Sequence, residues 1–257
     1  MVAHPPRFSL VEALCAQRGM ICVVGAGGKK TTLYRLAAAH GGRIGITSTV
    51  LTPPFPDHLQ AVKIIADEQH IASSVVEAAR AERAVAFALP QVKRERLGGV
   101  SCTQILRIHA AARFDVTLIK ADGARGRRIK APGPDEPLIP QGASTVIPVV
   151  SARAMGRPLS ERIAHRVARI TAITGARPGE TITPEHVARL LASEHGALKN
   201  AGLATVVPLI NMVDDASLEA AAREAAELAL SLCEGRFQRV VLANMRRTDA
   251  VIAVIDH

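Results

Sequence analysis

The sequence contains few aromatic residues, and this limits the ligands it can bind. Of its 257 residues, five are phenylalanine, one is tyrosine and none is tryptophan. Modules that bind single-stranded nucleic acid need aromatic side chains on which the bases stack. A formal net charge of +9 would suit a polyanion, but this balance is equally typical of an enzyme from an arginine-rich proteome. We therefore expect no nucleic-acid partner.

Long apolar runs and metal-binding clusters are also missing. No apolar stretch approaches the roughly 18–20 residues that span a bilayer, and the first residues do not resemble a secretory signal, so we expect no membrane partner. The four cysteines form no C-x-x-C pair, which argues against a zinc ribbon or a disulfide scaffold and fits a cytoplasmic protein. The nine histidines show no metal-ligand spacing, and no G-x-S-x-G motif indicates covalent hydrolysis.

Apolar runs alternate with amphipathic segments along the chain. This alternation predicts βαβ units around a mainly parallel sheet, in one α/β domain that covers residues 1–257. Residues 151–203 lack a clear strand and are predicted to form a helical insertion. The predicted strands are residues 20–24, 43–47, 62–65, 84–89, 116–119, 145–150, 205–210 and 239–243. The predicted helices cover residues 10–17, include 163–170, and begin near residues 29, 71, 101 and 183, with capping boxes at Ser9 and Ser101.

The strongest motif lies between a predicted strand and a predicted helix, where residues 23–32 read VVGAGGKKTT. Glycines let backbone amides converge on phosphate oxygens, and the following helix presents its free N–H groups to the same anion. A lysine and a hydroxyl in the first helical turn can reach the outer phosphates and a Mg²⁺ ion. We therefore predict a site for ATP or GTP with Mg²⁺, built from Gly25, Ala26, Gly27, Gly28, Lys29, Lys30, Thr31 and Thr32.

The loop departs from the G-x-x-x-x-G-K-[ST] pattern in one of two ways. If Lys29 is the phosphate lysine, Gly28 precedes it as the pattern requires, but the first hydroxyl comes one position late, at Thr31. If Lys30 is that lysine, Thr31 follows correctly, but Lys29 displaces the glycine. We favour Lys29, because the two glycines before it leave the loop open. A bound anion would also offset the unfavourable charge of two lysines at a helix start.

Acidic and hydroxyl residues follow two other predicted strands, at the edge of a parallel sheet where ligands bind. Asp122 comes just after the buried strand 116–119, where it can orient a Mg²⁺ ion or a water molecule. Lys29 and Asp122 are therefore the candidate catalytic pair. The candidate Mg²⁺ ligands are Thr31, Thr47 and Asp122.

Two further segments suggest binding of a base and of a second anion. Asn211 and Asp214 belong to the sequence NMVD, which is similar to the base-reading Asn-Lys-x-Asp of GTPases, although an ordinary strand-to-helix loop explains it as well. After Asp122 comes a basic loop that contains several prolines, which stiffen it. This loop either holds a second anionic substrate or is a solvated basic turn. Its basic residues are Arg125, Arg127, Arg128 and Lys130.

Several of these segments together resemble the YqeC family. The most specific are ADGARGR at residues 121–127, KAP at 130–132 and EPLIP at 136–140, and they are joined by GAGGK at 25–29 and TST at 47–49. The resemblance extends over about residues 10–245. Further matches are GRPL at 156–159, His165 with Arg166, ITPE at 182–185, GALK at 196–199 and NMVD at 211–214.

The resemblance implies both a fold and a role. The fold is a three-layer, P-loop NTPase-like α/β domain. The role is that of a cytoplasmic accessory factor in the maturation of a selenium-dependent molybdenum hydroxylase or of its molybdopterin-type cofactor. The expected partners are therefore a nucleotide and such a hydroxylase or cofactor. The candidate residues for a second, anionic substrate are Arg125, Arg127, Lys130, His165 and Arg166.

This chain departs from the family pattern at three positions. Lys30 stands where threonine is expected, Lys120 where glutamate is expected, and Met212 where lysine is expected. The first two changes remove a hydroxyl and a carboxylate from the predicted Mg²⁺ site and add two positive charges. Two functions stay open: a nucleotide-hydrolysing enzyme with a degenerate Walker A motif, or a non-catalytic carrier that binds a phosphorylated cofactor through the basic loop. In either, the lysines can stand in for part of the metal charge.

Overall fold

A computed structural model describes residues 8–93 and 95–257 and confirms a mixed α/β fold. The first seven residues, where we predict no secretory signal, lie outside the described range. The strands are β1 Gly19–Gly25, β2 Ile44–Ser48, β3 Val62–Ile65, β4 Ala84–Lys93, β5 Arg96–Gly98, β6 Val116–Lys120, β7 Ile129–Lys130, β8 Thr145–Ser151, β9 Ala164–His165, β10 Thr205–Val206, β11 Leu209–Asn211, β12 Arg239–Ala243 and β13 Val251–Asp256. The helices are α1 Leu10–Ala13, α2 Lys29–Ala39, α3 Ile71–Ala81, α4 Cys102–Ala111, α5 Val167–Thr174, α6 Pro184–Ala192 and α7 Ala216–Leu232, with a 3₁₀ turn at Ala152–Ala154.

Eleven strands of the described chain form one sheet. Its order is β13-β12-β11-β8-β1-β6-β2-β4-β3, with β10 beside β8 and β5 beside β4. The pairings are parallel except for β12 with β13 and β4 with β5. Every residue of β6 and β8 is buried, which explains why these strands read as continuous apolar runs. The predicted parallel sheet is thus confirmed.

Helices cover both faces of the sheet and give the fold three layers. On one face, α1 and α2 pack against the sheet, and Leu33 and Leu36 of α2 share a core with Ile21 of β1. The other face is covered by α3 to α7, and its core includes Val24 of β1 and Leu190 of α6. Because side chains alternate along a strand, β1 contributes to both cores.

The helical insertion lies between β8 and β10, as predicted, and contains α5 and α6. One element within it was not predicted: the two-residue strand β9, which pairs with β7 away from the main sheet. Since the chain is extended there, α5 begins only at Val167, later than the predicted helix that includes Ile163. Through β9, the insertion therefore pairs with β7, in the segment that follows β6.

Three further local predictions differ from the structure, and some elements were not predicted. Helix α1 ends at Ala13 instead of residue 17, since Cys15 adopts a left-handed φ of 49°. The strand predicted at 205–210 is divided into β10 and β11 around Pro208, which has no amide to donate. The side-chain amide of Gln104 donates to the carbonyl of residue 68, so only the Ser101 half of that capping box forms. Helix α7, the short strand β5 and the edge strand β13 were not predicted.

Two general features of the described chain are relevant to membranes and to redox chemistry. Across residues 8–93 and 95–257, no helix is long and apolar enough to cross a bilayer. Cys15, Cys22, Cys102 and Cys233 are all free thiols. Burial raises the pKa of Cys22, so this thiol stays protonated.

The start of α6 provides a test of the fold. Thr183 Oγ1 accepts a hydrogen bond from the amide of His186, whose ring accepts one from the amide of Thr183. We expect Thr183→Ala to lower the free energy of unfolding by about 0.5–2 kcal/mol in urea denaturation, because a helix amide loses its acceptor. Thr183→Ser keeps the hydroxyl and serves as the matched control. Equal losses in the two variants would contradict the capping role.

Candidate phosphate-binding site

The glycine loop lies at the carboxyl edge of the sheet, where the direction of the chain across the sheet reverses. It follows β1, which is flanked by β6 and β8. From β1 the chain first visits the strands beyond β6, and after β6 it crosses to β8 on the opposite side of β1. Ligands of parallel sheets bind in the crevice formed at such a reversal. The fold therefore brings the loop to a favourable position for a ligand.

Packing against β8 and β11 requires the glycines of this loop. Gly25, Gly27 and Gly28 have φ angles of 86°, 99° and 120°, in the left-handed region that favours glycine. A Cβ at Gly25 would lie 2.3 Å from the carbonyl oxygen of Val149, and a Cβ at Gly28 would lie 2.3 Å from Nδ2 of Asn211. Because this packing explains the glycines by itself, only the charged groups around the loop can indicate an anion-binding site.

Of the two lysines that begin α2, Lys29 points inward and Lys30 outward. Lys29 is only 6% exposed, its Nζ donates to the carbonyl oxygen of Gly25, and the same Nζ lies 2.9 Å from Oδ1 of Asp122. Lys30 is exposed to solvent. Burial lowers the pKa of Lys29, and the charge of Asp122 opposes that shift. The structure thus brings Lys29, and not Lys30, to Asp122.

Asp122 is 2% exposed and connects the glycine loop with a second lysine. Its Oδ2 accepts hydrogen bonds from the amide of Gly25 at 2.9 Å and from Nζ of Lys130 at 2.6 Å. Its Oδ1 faces Lys29 without the alignment of a hydrogen bond, so among the described residues this oxygen has no hydrogen-bond donor. Burial of a carboxylate oxygen without a hydrogen-bond donor lowers the stability of the fold, and a donor from a ligand or a water molecule would offset this loss.

A small cavity adjoins this carboxylate. Its volume is about 20 Å³, enough for one water molecule. Asp122, Lys130 and Gly25 line it, together with apolar side chains of β8 and α6. A water molecule in the cavity would have both charged groups as polar partners.

A second set of ion pairs extends from Lys130. Pairing of β7 with β9 places Lys130 opposite His165. Nζ of Lys130 lies 2.7 Å from Oε2 of Glu136, and Nη1 of Arg166 donates to the same oxygen at 2.7 Å. Burial alone would raise the pKa of Glu136, yet the hydrogen bonds from Arg166 and Lys130 hold it at about 2. Glu136 is therefore ionised at neutral pH.

The other predicted anion-binding residues surround this set. Burial, followed by the charges of Arg166 and Lys130, lowers the pKa of His165, so its ring is neutral at pH 7. Arg125 is exposed and Arg127 is half-buried, and neither guanidinium donates a hydrogen bond to a residue in the described part of the chain. The structure thus brings Lys130, His165 and Arg166 together and leaves Arg125 and Arg127 at the rim.

Lys120 adds a third buried lysine, which the sequence marked only as a departure from the family pattern. It is 8% exposed and its Nζ donates to the carbonyl oxygen of Leu51 at 3.1 Å. Burial, followed by the nearby charge of Lys29, lowers the pKa of Lys120 to about 7. When Lys120 is protonated, four cationic side chains face two carboxylates. The cations are Lys29, Lys120, Lys130 and Arg166, and the carboxylates are Asp122 and Glu136.

The helical insertion holds the loop that carries Glu136. Arg169, Lys199 and Asn200 donate hydrogen bonds to backbone carbonyls at residues 132, 133, 134 and 137. The sequence motifs did not predict these contacts, because their acceptors are backbone carbonyls, which every residue has. One sequence signal pointed to this region: the segment GALK at residues 196–199, which contains Lys199, matches the family pattern.

Asn211 and Asp214 lie on the other side of the glycine loop, after β11. Nδ2 of Asn211 donates to the carbonyl oxygen of Gly27 at 2.8 Å, and its Oδ1 accepts a backbone amide that follows β12. Asp214 forms an ion pair with Arg153 and accepts a hydrogen bond from Asn244 at 3.0 Å. Both oxygens of Asp214 are thus already hydrogen-bonded. A base that contacts this carboxylate would have to share its oxygens with Arg153 and Asn244.

Comparison with known proteins agrees with the resemblance seen in the sequence. A family model described as "YqeC protein" matches residues 21–168. The uncharacterized protein YqeC of Escherichia coli (strain K12) is 32% identical over 200 residues, which cover 75% of each chain. This chain belongs to the YqeC family. No solved structure matches it at a significant level.

The region that the family model matches contains most of the site. Residues 21–168 include the glycine loop, Asp122, Lys130, Glu136 and Arg166, whereas Asn211 and Asp214 lie beyond it. The four cationic side chains of the site, Lys29, Lys120, Lys130 and Arg166, therefore all lie in the segment that the family model matches.

In this member of the family, the side chains predicted to hold Mg²⁺ do not meet at one point. Thr31 is exposed on α2, Thr32 is buried within it, and the hydroxyl of Thr47 donates to the carbonyl oxygen of Phe87 at 2.7 Å. Within residues 8–93 and 95–257, no group of three His, Cys, Asp or Glu side chains could hold a metal ion. Two lysine ammonium groups face the oxygens of Asp122, so this arrangement does not fit Mg²⁺.

The buried Lys120 predicts a pH dependence of stability. Its pKa is about 7 in the folded protein and about 10.4 in the unfolded chain, so between these values the unfolded chain binds more protons. The free energy of unfolding should therefore rise from pH 7 to pH 9. In Lys120→Met this contribution disappears, and the variant should be the more stable protein at pH 6, as measured by chemical denaturation.

Lys63→Met is the matched control, because Lys63 is an exposed lysine of β3 that pairs with the exposed Asp57. Its stability difference from the wild type should not change with pH. If the difference between wild type and Lys120→Met were the same at pH 6 and pH 9, Lys120 would not be titrating in this range.

Proposed function

We propose that the chain binds a nucleotide, ATP or GTP, with its phosphates at the glycine loop. The observation that carries the proposal is the positive charge at the carboxyl edge of the sheet, where three cationic side chains share two carboxylates and a fourth, Lys120, lies nearby. The start of α2 adds to it, since this helix has neither a side-chain cap nor an acidic residue in its first turn. Its free amides point toward the same edge and favour an anion.

The three buried lysines then act as point cations on the phosphates. Lys29 exchanges the carbonyl of Gly25 for a phosphate oxygen, while Asp122 holds Lys29 and Lys130 in place. In other phosphoryl-transfer sites, metal ions neutralise much of the phosphate charge. Here the donor set of lysines replaces that contribution, so we expect nucleotide binding without Mg²⁺.

The family resemblance extends the proposal to a cellular role. We propose that the chain acts in the cytoplasm as an accessory factor in the maturation of a selenium-dependent molybdenum hydroxylase or of its molybdopterin-type cofactor. The support for this role is the match of the ADGARGR and EPLIP segments, which carry Asp122 and Glu136 of the site. The names of the family model and of the E. coli relative state no activity.

A second candidate function is that of a non-catalytic carrier for a phosphorylated cofactor. The observation that favours it is the pairing of Asp122 with two lysines, because this arrangement positions cations for a phosphate group and needs no catalytic step. The rim residues Arg125 and Arg127 could contact the rest of such a cofactor. Nucleotide hydrolysis that Asp122→Asn abolishes, in a variant that still folds, would exclude the carrier.

Nucleotide binding can be tested by the melting temperature with ATP or GTP, each with and without Mg²⁺. A ligand at about 100 times its dissociation constant stabilises the native state by about 2.7 kcal/mol, which corresponds to a shift of about 5–10 °C for a chain of this size. We expect the shift with one nucleotide and without a requirement for Mg²⁺. Lys29→Ala should lose it, because the inward-pointing ammonium group is gone.

Lys63→Ala is the control for loss of a lysine away from the site, and it should keep the full shift. Absence of any shift in a folded wild-type sample would contradict nucleotide binding and favour the carrier. A shift that needs Mg²⁺ would mean that a metal ion, and not the lysines alone, neutralises the phosphates.

A further inference from the structure

A groove on the outer side of α2 is not used by the site described above. It has a volume of about 580 Å³ and lies between α2 and the loop that follows β2, within the range typical of small-molecule sites. One wall is a stripe of α2 that runs from Lys30 through Tyr34 to Ala38, and the other includes residues of the segment 54–60. The eight helical steps from Lys30 to Ala38 span about 12 Å, so the groove is elongated.

All charged side chains that line the groove are basic. Lys30 lies at the end near the glycine loop, and Arg83 lies at the far end, where its Nη1 donates to the carbonyl oxygens of His40 at 2.7 Å and Gly42 at 3.1 Å. These two hydrogen bonds fix the guanidinium and leave other N–H groups to bind a ligand. Arg35 also lines the groove, and no lining residue is acidic. The groove therefore complements an anion.

The middle of the groove is apolar. Tyr34 is half-buried there, and burial raises its pKa to about 12, so its hydroxyl stays neutral. Pro54, Pro56 and Leu59 form the opposite wall. A flat apolar group fits between an aromatic ring and proline rings better than a flexible polar one, since it loses water on both faces.

We propose that this groove binds a second ligand, a planar heterocycle that carries a phosphate group, of the size of a nucleoside monophosphate. The heterocycle lies between Tyr34 and the prolines, the phosphate contacts the guanidinium of Arg83, and Lys30 adds positive charge at the other end. Lys29 points to Asp122 while the next residue, Lys30, lines the groove. The two sites therefore lie on opposite sides of the first turn of α2.

Tyrosine fluorescence reports on this groove directly, because Tyr34 is the single tyrosine of a chain that has no tryptophan. The probe is AMP, with N-acetyltyrosinamide titrated in parallel to correct for light absorbed by the nucleotide. We expect saturable quenching by AMP, and at least tenfold weaker binding of adenosine and of inorganic phosphate. Quenching that equals that of free N-acetyltyrosinamide would overturn the proposal.

Variants distinguish this groove from the glycine loop. Arg83→Gln should weaken AMP binding at least tenfold, whereas Arg80→Gln, on the exposed face of α3, should not. Lys29→Ala should leave the quenching unchanged, even though it removes the nucleotide-dependent shift in melting temperature. If AMP binding were lost in Lys29→Ala and kept in Arg83→Gln, the probe would be occupying the phosphate site and the groove would have no role.

Lys30→Gln provides a second test at the other end of the groove and does not depend on how Arg83→Gln folds. Because Lys30 is exposed and has no recorded ion pair or side-chain hydrogen bond with a described residue, this variant should keep the wild-type melting temperature. We expect it to weaken AMP binding severalfold. Unchanged AMP binding in both Lys30→Gln and a folded Arg83→Gln would overturn the proposal.

Discussion

The carboxylate of Asp122 and the two lysines that face it hold the site together. A buried carboxylate loses several kcal/mol of hydration unless partners compensate it. Here the partners come from the glycine loop, from the first turn of α2 and from β7, so the ionised acid requires all three segments to converge. Without Asp122, Lys29 and Lys130 would be buried with much less opposing charge. One acidic side chain thus fixes the position of the two cations nearest the loop.

The site around this carboxylate has more positive than negative charge, and its geometry explains two departures from the family pattern. Lys120 and Lys30 both replace residues suited to a metal site, but they point to different places. Lys120 is buried at the end of β6, close enough to Lys29 for its charge to lower the pKa of Lys120, whereas Lys30 lines the groove on the outer side of α2. Lys120 thus adds charge to the candidate phosphate-binding site, and Lys30 adds charge to a separate surface.

The pattern of apolar residues predicted most of the fold. Strand β12 begins and ends where the sequence placed it, because a strand covered on both faces is apolar along nearly its whole length. Strand β3 also has the predicted bounds, although it lies at the edge of the sheet and only its alternate residues are partly buried. Helix α7 was not predicted, and neither were the short strands β5, β7 and β9 and the edge strand β13. The pairing of these strands depends on which segment lies beside them, and their composition carries no periodic signal over two to six residues.

The sequence by itself determined which chemical groups the site contains: a glycine loop before a helix, an acid after a buried strand and a basic loop beyond it. Only the tertiary structure decided their roles. It turned Lys29 inward and Lys30 outward, directed the Thr47 hydroxyl to a strand carbonyl, and joined Glu136 to Arg166 across 30 positions. The reason is physical: the pKa, the burial and the direction of a side chain depend on neighbours that are distant along the chain and adjacent only after folding.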